Sequence, residues 1–357
     1  MKALILSGGS GTRLRPITFS YAKQLIPVAN RPILFYVLDD IADAGIKKVG
    51  IVIDKQTGYL IKESVGDGEQ WGLNITYIVQ DSPRGLAHAV KIARPFIGDD
   101  NFVMYLGDNI LRRGIKSFVN EYGNNGEDIN ILLTEVDNPQ QFGVAVLDND
   151  NNVKRLVEKP VNFISNKALV GIYIFNHKIF GAVNSIKPSW RGELEITDAI
   201  QYLIDHGGKV LPYLIDGWWK DTGKKEDVLE VNRFLLEDLN PTNCGQVALS
   251  SHLSGRIALG QESIIKNSVI AGPVAIGESC LIEDSYIGPY TSLGSGVQII
   301  NSELEKSIVM ENTRISGIQK RIANSLIGRD VVIEDRKSKP GIHELLLGDK
   351  SQLALYE

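Results

Sequence analysis

The last third of the chain carries an aliphatic residue at every sixth position, and few folds accommodate such a period. Ile264, Ile270, Ile276 and Ile282 fall on it. The series resumes after a one-residue phase shift at Ile287, Leu293 and Ile299, and returns at Ile327 and Ile333. Glycine follows the aliphatic residue at Gly277, Gly288, Gly294 and Gly328. This is the signature of a parallel β-helix, in which each rung turns one corner of a triangular coil and points one apolar side chain inward. Three six-residue rungs close a coil, so residues 257–335 are expected to hold about four coils. The stretch 304–322 breaks the period and is expected to loop out of the coil.

Ahead of Asn240-Pro241 the texture differs. Short apolar runs at 2–6, 48–53, 75–79, 102–106, 129–134 and 169–175 read as strands. They alternate with stretches at 33–44, 86–93, 194–206 and 225–237 whose apolar residues recur at helical spacing. Such alternation predicts an α/β domain, a Rossmann-like, mostly parallel sheet with helices on both faces and ligands at the carboxyl ends of its strands. The break near 240 divides residues 1–240 from a β-helix over 246–335 and a tail over 336–357. In the tail, Leu345-Leu346-Leu347 suggests a short helix packed on the β-helix or on another subunit.

Composition narrows the function. With 43% hydrophobic and 23% charged residues the chain is an ordinary globular protein. A net charge of -5 argues against a nucleic acid or an anionic membrane as partner, since both need a basic face. An anionic small substrate needs only a few cations in one cleft. Cys244 and Cys280 are too few for a disulfide framework or a cysteine zinc site and read as free thiols. The apolar run 3–6 is too short for a signal peptide, and no run reaches the ~20 residues of a membrane span, so a cytoplasmic protein is expected.

The chemistry-bearing motifs precede residue 224. A strand runs straight into Ser7-Gly8-Gly9-Ser10-Gly11-Thr12-Arg13-Leu14, where glycines let successive N–H groups form a nest for phosphate. No Gly-Lys-Ser/Thr follows, and Leu14 stands where a dinucleotide fingerprint needs its third glycine. Arg13 and Lys23 add cations suited to a polyphosphate; a lone Lys23 would read as a solvated surface residue. The apolar strand 102–106 ends in Gly107-Asp108, where a hard oxygen suits magnesium and substrate phosphate, although such an aspartate can equally form a turn. Asp221, after Trp218-Trp219-Lys220, is a second such carboxylate. Glu158-Lys159 could serve a sugar hydroxyl and a phosphate, or be a surface ion pair.

Taken in order, the motifs resemble the sugar-1-phosphate nucleotidyltransferases. The resemblance rests on Gly8 through Leu14, Lys23-Gln24-Leu25, Gln80 through Gly85-Leu86-Ala87, Leu106-Gly107-Asp108-Asn109, Glu158-Lys159-Pro160, Arg191-Gly192-Glu193-Leu194-Glu195-Ile196-Thr197-Asp198 and Trp219-Lys220-Asp221-Thr222-Gly223. It is strongest to the long form, which carries a C-terminal left-handed β-helix, and spans 4–223 with the repeat region extending it to 335.

The resemblance implies a nucleotidyltransferase catalytic domain that transfers dTMP from dTTP to glucose 1-phosphate, with Mg2+ as cofactor and in-line attack on the α-phosphorus. It implies nucleotide binding by Leu6, Gly8, Gly9, Gly11, Thr12, Arg13, Lys23, Gln24, Gln80, Gly85 and Asp108, with Arg13 and Lys23 catalytic. Asn109, Gly143, Glu158, Lys159 and Val170 would line the sugar phosphate site, and Asp108 and Asp221 would hold the metal. Its partners are small molecules, and a homo-oligomer is compatible with it.

Gln80 carries a donor and an acceptor that can pair with N3–H and a carbonyl of thymine or uracil, and Gly85 would leave room for the flat base. One methyl distinguishes the two bases by only ~1–3 kcal/mol, so a UTP-dependent uridylyltransferase is the alternative. A β-helix acyltransferase acting on an amino sugar is disfavoured, because after residue 240 the histidines are His252, at the start, and His343, past the last rung. The β-helix is therefore expected to carry no chemistry of its own.

Overall fold

Both faces of the strand Lys2–Ser7 are buried, Ala3 and Ile5 in one apolar cluster and Leu4 and Leu6 in the other. A strand covered on both sides loses the apolar-polar alternation, which is why this run reads as continuously apolar. The computed structural model describes residues 1–124, 126–335 and 348–354. Lys2–Ser7 pairs in parallel with Lys48–Ile53 on one side and Phe102–Leu106 on the other, and Asn74–Val79 extends the parallel set. Successive strands therefore lie on opposite sides of Lys2–Ser7, a topological switch point of the kind that binds ligands in α/β sheets.

Beyond Phe102–Leu106 the nine-stranded sheet becomes mixed. Lys167–Phe175 runs antiparallel to Phe102–Leu106, to Ile129–Glu135 and to Gly143–Leu147, which forms a hairpin with Val153–Glu158. Helix Ile33–Asp43 buries Leu34, Val37, Leu38 and Ile41 on one face of the sheet. On the other, Leu86–Ile92 and Ile196–Asp205 bury Ala87, Val90, Ala199, Ile200 and Leu203. In each helix the buried residues recur at three- and four-residue steps, the amphipathic stripe that the sequence displays.

The chain forms two compact units, and neither is continuous in sequence. One comprises Met1–Ser10, Tyr21–Leu25 and Ile33–Asp221; the other comprises Gly11–Ser20, Ile26–Pro32 and Thr222–Glu357. In the second unit, three parallel sheets of six, six and five strands stack as a β-helix whose first strand is Thr242–Asn243. Leu259, Ile276, Leu293, Val309 and Ile327 align in one stack, Ile265, Ile282, Ile299, Ile315 and Ile333 in the second, and Ile270, Ile287, Leu304 and Ile322 in the third.

Two expectations are corrected here. The stretch 304–322 stays in the coil, contributing Glu303–Glu305, Ile308–Val309, Arg314–Ser316 and Ile322–Ala323. The inward residue of the early rung is Ile265, fully buried, rather than Ile264. The second follows from the coil length of the early turns, and the first from later coils of unequal length, Ile299 pairing with Ile315, 16 residues on, and Leu304 with Ile322, 18 residues on. Hydrogen bonds between Ser251, Ser268, Ser285 and Ser302 join residues 17 apart, so one rung in each of these coils has five residues and the phase slips every turn.

The hairpin Pro27–Val28 with Arg31–Pro32 also belongs to the second unit. Its turn residues Ala29 and Asn30 both have positive φ, 48° and 61°, a conformation costly for alanine. External bonds hold it. The Ala29 N–H donates to Asn232 Oδ1 at 2.8 Å, and Asn30 Nδ2 donates to the Leu293 carbonyl at 2.7 Å. Asn232, fully buried on helix Lys225–Glu237, also accepts from Ser292 Oγ at 2.7 Å and donates to the Tyr290 carbonyl at 3.0 Å. Asn232→Ala leaves several buried groups unpaired and is expected to destabilise the protein by ~2 kcal/mol or more. Denaturant unfolding would read this, and an unchanged midpoint would remove Asn232 as the clamp.

The leucines at 345–347, and with them the expected tail helix, lie outside the described residues. Both cysteines are free thiols, Cys244 exposed and Cys280 buried. Among the described residues no helix is long and apolar enough to cross a membrane.

Candidate active site

Lys2–Ser7, Asn74–Val79 and Phe102–Leu106 end on the same edge of the sheet and deliver Gly8, Gln80 and Asp108 there. Leu6 contributes its side chain to the apolar cluster and its carbonyl to the Gly107 N–H, at 2.9 Å. A Cβ on Gly107 would collide with Ser7 Oγ, so glycine is what lets Asp108 emerge tight against the first strand.

A cation sits between two carboxylates. The Lys23 ammonium, 11% exposed, contacts Asp108 Oδ2 and lies 3.8 Å from Asp221 Oδ1. Burial by itself would raise the pKa of Asp108. The Lys23 charge and the hydrogen bonds from Lys23 and Asn109 outweigh it and hold the carboxyl below its ordinary value. A short antiparallel ribbon, Asn109–Leu111 with Trp219–Asp221, sets Asp221 opposite Asn109. The Trp219 indole N–H donates to Asn109 Oδ1 at 2.6 Å, and Asn109 Nδ2 donates to Asp108 Oδ1 at 3.0 Å. Gln24 is buried next to Lys23 in the 3-10 turn Lys23–Leu25.

These donors fit a divalent cation. Two hard oxygens that already share one positive charge can share a metal with substrate phosphates, the coordination magnesium prefers. Among the described residues no cluster of three or more His, Cys, Asp or Glu could hold a metal ion, so substrate oxygens would have to complete the shell.

The second corner surrounds Gln80, which is buried. Its Nε2 donates to the Gly85 carbonyl at 3.4 Å and lies 3.0 Å from His88 Nδ1, while Oε1 is turned toward Gly8. Gly8 thus packs against the amide, whereas Gly9 has open space where a Cβ would stand. The expected reason for glycine at 85 is corrected. Its φ is +96°, and a Cβ there would run into the Leu194 backbone, so the freed space holds protein rather than a base. Gly85→Ala should therefore strain the 80–88 segment and raise the nucleotide KM by at least about tenfold, with reduced thermal stability. Wild-type kinetics in that variant would show that the segment yields.

Gly143, Glu158 and Thr197 form a third corner. A Cβ on Gly143 would stand 2.9 Å from each of Glu158 Oε2, Leu169 Cδ1 and Thr197 Cγ2. Thr197 Oγ1 donates to Glu158 Oε2 at 3.3 Å, and the Arg191 guanidinium lies 3.6 Å from Glu158 Oε1. Burial, then the charge of Glu195, raises the Glu158 pKa against the opposing effects of Lys159, Arg191 and Thr197. Lys159 adopts a positive φ of 42°, its N–H bonded to the Phe142 carbonyl at 3.0 Å. The Val170 side chain is wholly buried in the core at the irregularity before Tyr173, so only its backbone could meet a ligand.

Gly11, Thr12 and Arg13 belong to the second unit. Gly11 has a positive φ of 53°, and its carbonyl accepts from Thr18 Oγ1 at 2.7 Å. The Arg13 guanidinium lies where a Cβ on Gly223 would stand, so that glycine gives it room.

Arg191, Thr197 and Trp219 join these corners although the motifs gave them no role. They lie inside the quoted runs, but their contacts come from elements far apart in sequence.

Paired carboxylates at a sheet switch point, with a largely covered lysine between them, suit an enzyme that handles phosphorylated substrates. The chain belongs to the nucleotidyl transferase family, whose model matches residues 2–238, and is a nucleotidyltransferase. It is 50% identical over 356 residues to a glucose-1-phosphate thymidylyltransferase of Streptomyces antibioticus, covering 99% of each chain. It is 46% identical over 358 residues to a low-salt glycan biosynthesis nucleotidyltransferase of Haloferax volcanii, covering 99% of this chain and all of that one. A Bacillus anthracis crystal structure assigned as a glucose-1-phosphate thymidylyltransferase superposes with a TM-score of 0.63 at 35% identity, over 68% of this chain and 98% of that one. Members of the family generally use a divalent metal ion.

Proposed function

We propose that the protein transfers dTMP from dTTP to α-D-glucose 1-phosphate, giving dTDP-glucose and pyrophosphate for nucleotide-sugar biosynthesis in the cytoplasm. The observation that carries the reading is the convergence of Lys23, Asp108 and Asp221 at the ends of the parallel strands. The choice of substrates is supported by the likeness to relatives of that name over nearly the whole chain.

An oxygen of the sugar phosphate attacks the α-phosphorus in line. The bond to the bridging oxygen of the departing pyrophosphate breaks. The nucleophile is already ionised, its second pKa being ~6, so no general base is demanded of the protein. Its residues position and neutralise instead. The loop from Gly8 to Arg13 and Lys23 bind the triphosphate, and Arg13 and Lys23 counter the charge that develops. Asp108 and Asp221 hold Mg2+, which when bound neutralises phosphate charge. Gln80, whose Oε1 is turned toward Gly8, accepts N3–H of the base. Glu158 accepts from a sugar hydroxyl, Lys159 meets the sugar phosphate, and Asn109, which also holds Asp108, lines that site with Gly143 and the Val170 backbone. In this reading the chemistry precedes residue 240 and the β-helix over 246–335 serves folding and assembly.

The test is pyrophosphate release from dTTP, UTP and dCTP with a panel of sugar 1-phosphates. Turnover with dTTP and glucose 1-phosphate that stops on chelation is expected. No release from any pairing with dTTP would end the proposal, and preference for UTP would move it to the uridylyl reaction.

A further inference from the structure

Gln80 can act on a base in two opposite senses, because its amide has an accepting oxygen and a donating nitrogen at nearly the same positions. Nothing in Gln80 itself selects between them. Its surroundings do. The Gly85 carbonyl can only accept, so the amide nitrogen faces it, at a long 3.4 Å. The second hydrogen of that nitrogen points at His88 Nδ1, 3.0 Å away. An imidazole protonated on Nε2 offers Nδ1 as an acceptor. With both hydrogens engaged, Gln80 can only accept from a ligand, through the Oε1 that lies toward Gly8.

We infer that His88 is a specificity-positioning residue, one that locks the Gln80 amide with its oxygen toward the nucleotide and so selects bases carrying N3–H, thymine and uracil, against cytosine. The inference rests on the reading of Gln80 as the base-contacting residue. Cytosine presents an unprotonated N3 and is repelled by Oε1. It would be accepted by an amide turned over, and turning it over sets an oxygen against the Gly85 carbonyl and away from any donor on neutral His88.

Protonation of His88 would undo the lock, since Nδ1–H then demands an acceptor and favours the inverted amide. The ring can titrate in the folded protein, because it lines a cavity of about 310 Å³ together with Arg84, Lys91, Pro188, Gly192 and Leu194. The charged groups that act on it are Arg84, Lys91 and Asp81. Burial, then Arg84 and Lys91, lowers its pKa and Asp81 opposes them, which favours the neutral ring, and the Nε2–H tautomer of that ring is the locking form. The basic pair thus protects the hydrogen-bonding sense of a residue neither of them is bonded to in the contacts described.

The test uses the full chain with glucose 1-phosphate and either dTTP or dCTP, comparing wild type, His88→Phe, His88→Gln and Gln80→Ala. His88→Phe removes the acceptor and is expected to lower the ratio of kcat/KM for dTTP over dCTP by about fivefold or more, through KM, the size of one neutral hydrogen bond. His88→Gln restores an acceptor and should restore the ratio. In wild type the dTTP KM should rise on acidification below the ordinary histidine range of ~6.5. That rise should be absent in His88→Gln, which also separates it from titration of the triphosphate itself. An unchanged ratio in His88→Phe, with an unchanged acid limb in His88→Gln, overturns the inference. Should His88→Phe fail to fold, the acid limb decides alone. If Gln80→Ala leaves the dTTP KM untouched, the base reading of Gln80 fails and this inference with it; if Gln80→Ala weakens dTTP while the His88 variants are silent, only the lock is lost.

Discussion

Asp108→Asn and Asp221→Asn are each expected to lower kcat by at least about 10²-fold, because charge stabilisation by a metal on a transferring phosphoryl group is worth several kcal/mol. The amide keeps the shape of the carboxylate and, at Asp108, an oxygen for the Asn109 amide, so the chief loss is charge. At Asp108 the substitution also strips Lys23 of its nearest partner. The magnesium concentration for half-maximal rate should rise in both variants. Because the Lys23 charge holds the Asp108 carboxyl below its ordinary value, it is ionised at neutral pH, and activity there should show no limb from it. Near wild-type turnover at saturating magnesium in either variant would remove that residue as a ligand.

Lys23→Ala should reduce kcat/KM for dTTP by ~2–4 kcal/mol, the usual loss on removing a preorganised charge from a transition state. The effect has two sources. The triphosphate loses a cation, and Asp108 keeps its burial while losing the charge that offsets it. Lys23→Arg is not expected to rescue it, since a planar fork cannot stand as a point charge between two carboxylates. Lys159→Ala should instead raise KM for glucose 1-phosphate and leave that for dTTP near wild type. Equal damage to both substrates from both substitutions would defeat this division.

What the sequence disclosed and what it withheld divide along chain separation. Gly8, Gln80 and Asp108 are legible because each stands within two residues of a strand end, and a strand followed by a turn is a local pattern. The nearness of Asp221 to Asp108 is not, because it depends on the ribbon that pairs Asn109 with Asp221. Gly85 looked like space for a ligand; only the fold reveals the Leu194 backbone on its far side. Val170 sits in a run of apolar residues that no pattern could sort into core and site. The β-helix announced itself by period, yet a period of six hides a coil of 17 until the serine bonds count it.

The clamp on the Ala29-Asn30 turn bears on how the protein is made. The hairpin immediately follows the segment carrying Lys23, and its bonds run to Asn232 and to Leu293, 203 and 263 residues later. Chains generally fold from the N-terminus as the ribosome releases them, and distant contacts close last. Here a turn that emerges among the first thirty residues has to wait, strained and unsupported, until five-sixths of the polypeptide has been synthesised. A nascent chain stalled before Tyr290 would present an assembled parallel sheet with that hairpin still loose. The rung that carries Leu293 is therefore the piece that finishes the N-terminal hairpin, and a chain interrupted short of it would lack the bond that holds Asn30.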